Sequence, residues 1–216
     1  MKELFDMGKV RIVFQGDSIT DAGRDYRNYF DLGHGYPKYA AANIAAAHPE
    51  TDFEFINFGI SGNRTSQLFD RIYKDGIELQ PDIISFLIGI NDILHRYDVN
   101  IIKTKDEQTE LNYRSILERV KKETNAKIVI LSPYVLDCDG REETRRDIKT
   151  LLPIVRKLAK EFADVYIPLD EIFEEALKTQ PAPHYYSDDG IHPNKMGAEF
   201  IGKLYADAID TLLGKN

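Results

Sequence analysis

The sequence predicts an α/β protein, a three-layer α/β/α sandwich around a central, mostly parallel five-stranded sheet. Short apolar runs alternate with longer helical patterns from one end of the chain to the other. Two of these runs, Ile83–Ile88 and Ile128–Leu131, are almost continuously apolar, as are strands that helices cover on both faces. Strands that alternate with helices run parallel and are joined by right-handed crossovers, which produces the three layers.

Five segments are predicted to be strands because they are short and rich in β-branched or aromatic residues, with Gly, Asn, Pro or Asp close behind. In chain order they are Val10–Gln15, Phe53–Phe58, Ile83–Ile88, Lys127–Ser132 and Val165–Leu169.

The segments between the strands carry helical patterns. Tyr36–Ala47 is rich in alanine and amphipathic, and Glu107–Thr124 gathers apolar residues close to one face. A helix is predicted at Leu151–Phe162, after a segment with a weaker helical pattern, Glu142–Thr150. Pro153 is acceptable only near a helix start or at a kink. Two further helices are predicted at Glu171–Thr179 and Asn194–Leu213.

Length and composition favour one domain that spans residues 1–216. The chain is 43% hydrophobic and 30% charged, ordinary values for a globular protein. It contains no internal repeat, low-complexity tract or linker. Cys138 is the single cysteine, which excludes an internal disulfide and with it a disulfide-rich secreted scaffold.

Charge and hydropathy exclude several classes of partner. The 28 basic and 36 acidic side chains give a net charge of −8, and basic residues are interleaved with acids, as in Lys121–Glu123. We therefore expect no nucleic-acid partner, since that binding uses clustered Lys and Arg. No apolar run approaches the roughly 18–20 residues of a membrane span. Acids also stand where the apolar stretch of a signal peptide would begin, so we expect a soluble, cytoplasmic protein without membrane insertion.

Polar motifs follow the predicted strands. Ligands of open parallel sheets bind beyond the carboxyl ends of the strands. Gly16–Thr20, Asn57–Asn63 and Gly89–Asp92 follow the first three strands, and Asp188–Pro193 stands late in the chain. Each motif alone is also a common turn or helix cap. Together they supply the groups that acyl transfer requires.

An acyl-transfer site needs an activated nucleophile and hydrogen-bond donors for an oxyanion. Ser18 is the candidate nucleophile, His192 is the base that activates it, and an acid shortly before His192 orients the imidazole. The candidate oxyanion donors are the backbone N–H groups of Ser18 and Gly59 and the side-chain amide of Asn91.

These motifs resemble those of the SGNH hydrolases, also called the GDSL esterase/lipase family. Gly16-Asp17-Ser18-Ile19 reads GDSI where the family pattern reads GDSL, and the motifs extend to His192. The resemblance implies a flavodoxin-like sandwich and a carboxylic ester hydrolase. It also selects Asp189 over Asp188 as the acid. The implied catalytic triad is Ser18, Asp189 and His192, and the implied oxyanion hole is Ser18, Gly59 and Asn91.

A narrower resemblance concerns the substrate. Gly16–Arg24, Asn57–Asn63 and Ile88–Asp98 look like the intracellular bacterial acetylxylan and acetyl-oligosaccharide esterases. This implies a serine esterase that removes short acyl groups, acetyl above all, from sugars or xylo-oligosaccharides through an acyl-Ser18 intermediate. The expected partner is a small acetylated carbohydrate. Two alternatives stay open, a thioesterase or lysophospholipase with the same triad and a non-catalytic sugar- or lipid-binding domain on the same fold.

Contacts to the substrate are less defined. Tyr185 and Tyr186 precede the triad loop and are candidates either for an aromatic wall against a sugar or for core residues. Arg64, Arg96 and Tyr97 follow the oxyanion motifs and are candidates for hydroxyl binding, and a structural ion pair is the alternative for either arginine. No metal site and no cofactor are predicted, because Cys pairs, His-Glu-x-x-His and glycine-rich phosphate patterns are absent. A homo-oligomer is compatible with the sequence, but no helical seam identifies an interface.

Overall fold

A computed structural model describes residues 8–214 of the chain. Its five strands are β1 (Val10–Gly16), β2 (Phe53–Gly59), β3 (Ile83–Leu87), β4 (Lys127–Leu131) and β5 (Val165–Ile167). They form one sheet in the order β2-β1-β3-β4-β5, and every neighbouring pair is parallel. All five predicted strands are present. The last one is shorter than predicted, because the following helix already begins at Leu169.

Eight α-helices lie within the described residues. They are α1 (Ser18–Asp21), α2 (Tyr36–Ala47), α3 (Thr65–Asp75), α4 (Ile90–Leu94), α5 (Asp106–Glu123), α6 (Glu142–Phe162), α7 (Leu169–Thr179) and α8 (Lys195–Leu213). Two short 3-10 helices lie at Ile77–Leu79 and Pro183–Tyr185.

Helices cover both faces of the sheet. On one face, α2, α7 and α8 share a hydrophobic core with strand residues such as Phe14. On the other face, α3, α5 and α6 share a second core with residues such as Val13. Phe14 and Val13 are consecutive on β1 and enter opposite cores, as the two-residue period of a strand requires. The predicted three-layer α/β/α sandwich is therefore confirmed.

Four helices differ from the prediction, since α6 is longer than predicted and α1, α3 and α4 were not predicted. Helix α6 runs without a break through Pro153, so the weaker segment Glu142–Thr150 belongs to it. The buried residues of α6 continue in helical spacing across the proline, and the carbonyl of Lys149 that Pro153 leaves without an N–H partner belongs to an exposed residue, where water can reach it. Helix α3 was not predicted, because it has only three buried residues on an otherwise polar surface.

The carboxyl ends of the first three strands lie side by side. Gly16, the last residue of β1, is in register with Gly59 of β2 and Leu87 of β3. The segments that follow these strands therefore start from one edge of the sheet, where ligands of parallel sheets bind. Within residues 8–214, no helix combines the length and the apolar character that a bilayer crossing requires.

Candidate active site

A tight turn between β1 and α1 places Ser18. A Cβ added to Gly16 would lie 2.2 Å from Thr20 Oγ1 and 2.6 Å from the Leu87 carbonyl oxygen, so the turn has no room for a larger residue. Asp17 caps α1, because its Oδ1 accepts the N–H of Ile19 at 3.0 Å. Ser18 is consequently the first helical residue beyond the strand, at the carboxyl edge of the sheet.

Ser18, His192 and Asp189 form a continuous chain of hydrogen bonds. Ser18 Oγ lies 2.9 Å from His192 Nε2, although 174 positions separate them in the sequence. His192 Nδ1 lies 2.7 Å from Asp189 Oδ2. Asp188 makes a different contact, since its Oδ1 accepts a long 3.5 Å bond from Asn194 Nδ2. The carboxylate that reaches the imidazole is thus the one that the family pattern selects.

The loop that carries this pair is held by its own polar groups. Asp189 Oδ1 accepts the backbone N–H groups of Ile191 at 2.9 Å and His192 at 2.8 Å. Ser187 Oγ donates to the His192 carbonyl at 2.7 Å. Gly190 has a positive φ of 82°, a conformation that glycine adopts without strain. The spacing of the acid and the histidine thus lets one carboxylate hold both the backbone and the ring of His192.

Asp189 is ionised over the whole neutral range. Burial alone raises its pKa, but the hydrogen bonds from the His192 side chain and from the His192 and Ile191 backbone more than offset burial and lower the pKa to about 2. An ionised carboxylate accepts and cannot donate, so Nδ1 of the neutral imidazole carries the proton. Nε2 is then free to accept the proton of the Ser18 hydroxyl.

Two of the expected oxyanion donors are available at the site. The backbone N–H of Ser18 has no hydrogen-bond partner among residues 8–214. Asn91 lies in α4 and is 5% exposed. Its Nδ2 donates one hydrogen to the carbonyl of Asn63 at 3.0 Å, which leaves the second amide hydrogen unused.

The expectation for Gly59 is wrong. Its N–H donates to Oδ1 of Asn57 at 2.9 Å, so it has no hydrogen left for an oxyanion. A Cβ at this position would lie 2.2 Å from the backbone nitrogen of Asp21. Gly59 therefore allows the end of β2 to approach α1 closely, which is a packing role.

Gly62, three residues further on, has the properties that Gly59 lacks. Its N–H has no hydrogen-bond partner among the described residues, its φ is +80°, and nothing lies within 4 Å of an added Cβ. It directly precedes Asn63, whose carbonyl anchors Asn91. The sequence signal was present, since Asn57–Asn63 contains two glycines, but choosing between them requires knowing which N–H is already bonded.

A partly buried arginine, Arg71, joins the two loops of the site. Arg71 Nη2 donates to the Gly16 carbonyl at 3.1 Å, and Nε donates to Asn63 Oδ1 at 2.8 Å. The backbone of the second loop is also tied to the first, since Ile60 N–H donates to the Gly16 carbonyl at 3.1 Å. These bonds hold the Ser18 turn and the Gly62 turn in one arrangement. The sequence around Arg71 contains no motif that would have predicted these contacts.

Arg64, Arg96 and Tyr97 are engaged with the protein itself. Arg64 Nη1 donates to the Ile102 carbonyl at 2.8 Å. Arg96 forms an ion pair with Asp106, and Tyr97 Oη donates to Asp147 Oδ2 at 2.8 Å. Arg96 thus has the structural ion pair that was its alternative. Hydroxyl binding by Arg64 and Tyr97 stays a prediction.

The two tyrosines before the triad loop have different surroundings. Tyr186 is 7% exposed, and its ring packs against Phe173 at 5.4 Å and Phe200 at 5.2 Å between centroids. Tyr186 is therefore a core residue, which was one of the two alternatives, and it offers no open face to a sugar. Its place among the candidate substrate contacts is corrected accordingly. Tyr185 is 40% exposed and meets Tyr186 edge to face, so its substrate contact stays a prediction.

Comparison with known proteins agrees with this geometry. Residues 14–200 match the GDSL-like lipase/acylhydrolase family. An acetylxylan esterase from Geobacillus stearothermophilus is 30% identical over 202 residues, which cover 90% of this chain and 91% of that protein. A thioesterase/protease/lysophospholipase of Escherichia coli is 30% identical over 158 residues, covering 73% of this chain and 68% of that protein.

Solved structures give the same result at the level of the fold. A protein described as a GDSL-like lipase from Parabacteroides merdae has a TM-score of 0.86 and 31% identity, covering 94% of this chain and 96% of that one. The acetylxylan esterase of Geobacillus stearothermophilus has a TM-score of 0.83 and 28% identity, covering 95% of this chain and 97% of that one.

Proposed function

Because this chain belongs to the GDSL-like lipase/acylhydrolase family and is a carboxylic ester hydrolase of the SGNH type, we propose that it removes acetyl groups from sugars through an acyl intermediate on Ser18. The observation that carries the proposal is the continuous hydrogen-bond chain from Ser18 Oγ through His192 to Asp189. Family membership supports the same site, since structures of the Geobacillus enzyme include three described as catalytic mutants, at a serine, a histidine and an aspartate.

The first half of the reaction transfers the acyl group to Ser18. His192 Nε2 takes the hydroxyl proton as Ser18 Oγ attacks the ester carbonyl carbon, and Asp189 stabilises the imidazolium that forms. The carbonyl oxygen becomes an oxyanion, which accepts the N–H groups of Ser18 and Gly62 and the free amide hydrogen of Asn91. When the intermediate collapses, the C–O bond to the alcohol breaks, and the alcohol oxygen takes the proton from His192.

The second half releases the acid and restores the enzyme. Water attacks the acyl carbon while His192 Nε2 removes one of its protons, and the same three donors stabilise the second oxyanion. Collapse of this intermediate breaks the bond to Ser18 Oγ, which recovers its proton from His192. Acetate leaves, and no cofactor takes part in any step.

Two observations support a short acyl group on a bulky alcohol. The acetylxylan esterase matches nine-tenths of both chains, whereas the thioesterase/lysophospholipase matches about two-thirds to three-quarters. The His192 side chain is 52% exposed, so the side from which the alcohol leaves is open to a large sugar. A thioesterase or lysophospholipase is the second candidate, and the Escherichia coli relative favours it.

A substrate panel tests the proposal and separates the candidates. We expect acetylated xylo-oligosaccharides and p-nitrophenyl acetate to be hydrolysed with much higher kcat/KM than long-chain p-nitrophenyl esters or acyl-CoA. Ser18→Ala should remove this turnover. Ser115→Ala, which deletes a hydroxyl that bonds the Leu111 carbonyl of its own helix, should not.

The outcomes of the panel have distinct meanings. Preference for long acyl chains or thioesters would establish the second candidate and overturn the sugar deacetylase. Binding of sugars or lipids without turnover of any ester would instead establish a non-catalytic domain on the same fold.

A further inference from the structure

The carboxylate of Asp189 contacts a second cation besides the imidazole. Arg141 Nη2 lies 3.2 Å from Asp189 Oδ2, the same oxygen that His192 Nδ1 contacts at 2.7 Å. Arg141 Nε also donates to the backbone carbonyl of Asp189 at 2.7 Å. One guanidinium therefore contacts both the carboxylate and the backbone carbonyl of Asp189. None of the steps described above uses it.

Arg141 is seated on the triad loop and not merely near it. Its Cγ lies 3.3 Å from the point where a Cβ of Gly190 would be, and its side chain is 26% exposed. The segment that carries Arg141 is bonded to the same loop elsewhere, since Leu136 N–H donates to the Gly190 carbonyl at 2.8 Å. Among residues 8–214, Arg141 is the one Lys or Arg within ion-pair distance of Asp189.

The other ionisable groups around the loop do not replace Arg141. Asp137 lies on the same segment and pairs with Arg145 of α6. The other ionisable neighbours carry no positive charge: they are Asp139, Asp188, the buried Tyr134 and the thiol of Cys138, with Asp17 across the site. Arg141 is thus the cation that competes with the imidazolium for the charge of Asp189.

We propose that Arg141 is a positioning residue that holds the triad acid in place and weakens the attraction of its carboxylate for protonated His192. An imidazolium beside Asp189 alone would be stabilised by the full negative charge. With Arg141 on the same oxygen, part of that charge is already balanced, and the two cations repel each other. Without Arg141, the whole charge of the Asp189 carboxylate would act on the imidazolium. This role rests on the proposed function, since it requires His192 to be the base.

The pH–rate profile of kcat/KM measures this effect. Arg141→Gln removes the charge but keeps a hydrogen-bond donor for the Asp189 carbonyl. We expect the midpoint of its acid limb to move up by about 0.5–1 pH unit, as Coulomb interaction at such distances in a half-exposed site gives. At pH values below the wild-type midpoint, kcat/KM of the variant should be about 3–10-fold lower than that of the wild type. At alkaline pH, the two values should be nearly equal. Arg141→Lys keeps the charge and should restore the wild-type midpoint.

A matched control and a direct titration complete the test. Arg146→Gln removes the charge of a side chain that is two-thirds exposed and paired with Asp147. This variant should leave the midpoint of the pH–rate profile unchanged. The NMR titration of the His192 ring in folded Arg141→Gln should shift in the same direction as the rate profile. A uniform loss of kcat at every pH, with both midpoints unchanged, would show that Arg141 only supports the loop and would overturn the proposal.

Failure of the proposed function is distinguishable from failure of this inference. If Ser18 is not the nucleophile, the wild-type protein will not react with a fluorophosphonate probe at Ser18 at any pH. If the inference alone fails, wild type and Arg141→Gln will both react at Ser18 with the same pH dependence.

Discussion

Asn91 of α4 is bonded through its side-chain amide to the carbonyl of Asn63, 3.0 Å away in the loop after β2. This bond fixes the direction of the amide and leaves its second hydrogen for the site. It also places Asn91 beside Gly62, whose N–H is unpaired among the described residues. One donor of α4 and one of the loop after β2 are thereby held in place before any substrate arrives, as the proposed oxyanion hole requires.

Replacing Asn91 by alanine should lower kcat by about 10²–10³, because one oxyanion donor is lost while the nucleophile and base remain. Steady-state kinetics with p-nitrophenyl acetate measures the effect. Asn43→Ala, at an exposed position of α2, is the matched control and should keep wild-type kinetics. A rise in KM with unchanged kcat would contradict the oxyanion role and indicate a binding role.

The two glycines after β2 should respond differently to alanine. Gly59→Ala would place its Cβ within 2.8 Å of three backbone atoms of Thr20 and Asp21, so we expect it to unfold or to lose more than about 3 kcal/mol of stability. Gly62→Ala has open space around its Cβ and should fold. Its positive φ should lower the free energy of unfolding by about 1–2 kcal/mol. Urea unfolding compares them, and equal losses would contradict the packing role of Gly59.

The buried carboxyl of Asp17 should make stability depend on pH. Burial raises its pKa to about 7, against the lowering effect of the Ile19 N–H. Because the folded-state pKa lies above the unfolded one, the stabilising contribution is present below about pH 4 and is lost as pH rises to about 7. Wild type should therefore lose on the order of 2–4 kcal/mol over this window relative to Asp17→Asn.

Asp17→Asn keeps an oxygen that accepts the Ile19 N–H, so the helix cap survives the substitution. The free energies of unfolding of both proteins, measured in urea at several pH values, give the difference directly. A difference that does not change with pH would mean that Asp17 titrates alike in both states.

Alanine at the two tyrosines before the triad loop should separate a core residue from a surface residue. Tyr186→Ala removes a ring packed between Phe173 and Phe200 and should destabilise the protein by about 3 kcal/mol or more. Tyr185→Ala should change stability by less than about 1 kcal/mol. Thermal unfolding measures both. If Tyr186→Ala left stability unchanged and raised only KM for sugar esters, Tyr186 would be a substrate contact and not a core residue.

Features that short stretches of sequence encode were predictable. Each strand is a short run whose composition and flanking residues are local, so all five strands were located to within two residues. The turn at Gly16–Thr20 and the loop at Asp188–Pro193 could be recognised for the same reason. The triad contact across 174 positions followed only from the parallel sheet and the family pattern.

Features that depend on contacts between distant segments were not predictable. Gly59 and Gly62 are chemically identical, and only the bond from Asn57 and the closeness of α1 distinguish them. The pairing of Arg141 with Asp189 joins segments 48 positions apart, and neither carries a local signal. Helix α6 continues through Pro153 because its buried residues lie on both sides of the proline and pack against the rest of the protein. Local helix propensity contains no information about this packing.

Trapping the acyl-enzyme tests the central claim most directly. The protein is mixed with p-nitrophenyl acetate, quenched in acid within the first turnover, and digested for peptide mass spectrometry. The account predicts one acetyl group on the peptide that contains Ser18, on the Ser18 oxygen, and none in Ser18→Ala. Rapid ester turnover with no acetyl group on Ser18, or with the label on another residue, would contradict it.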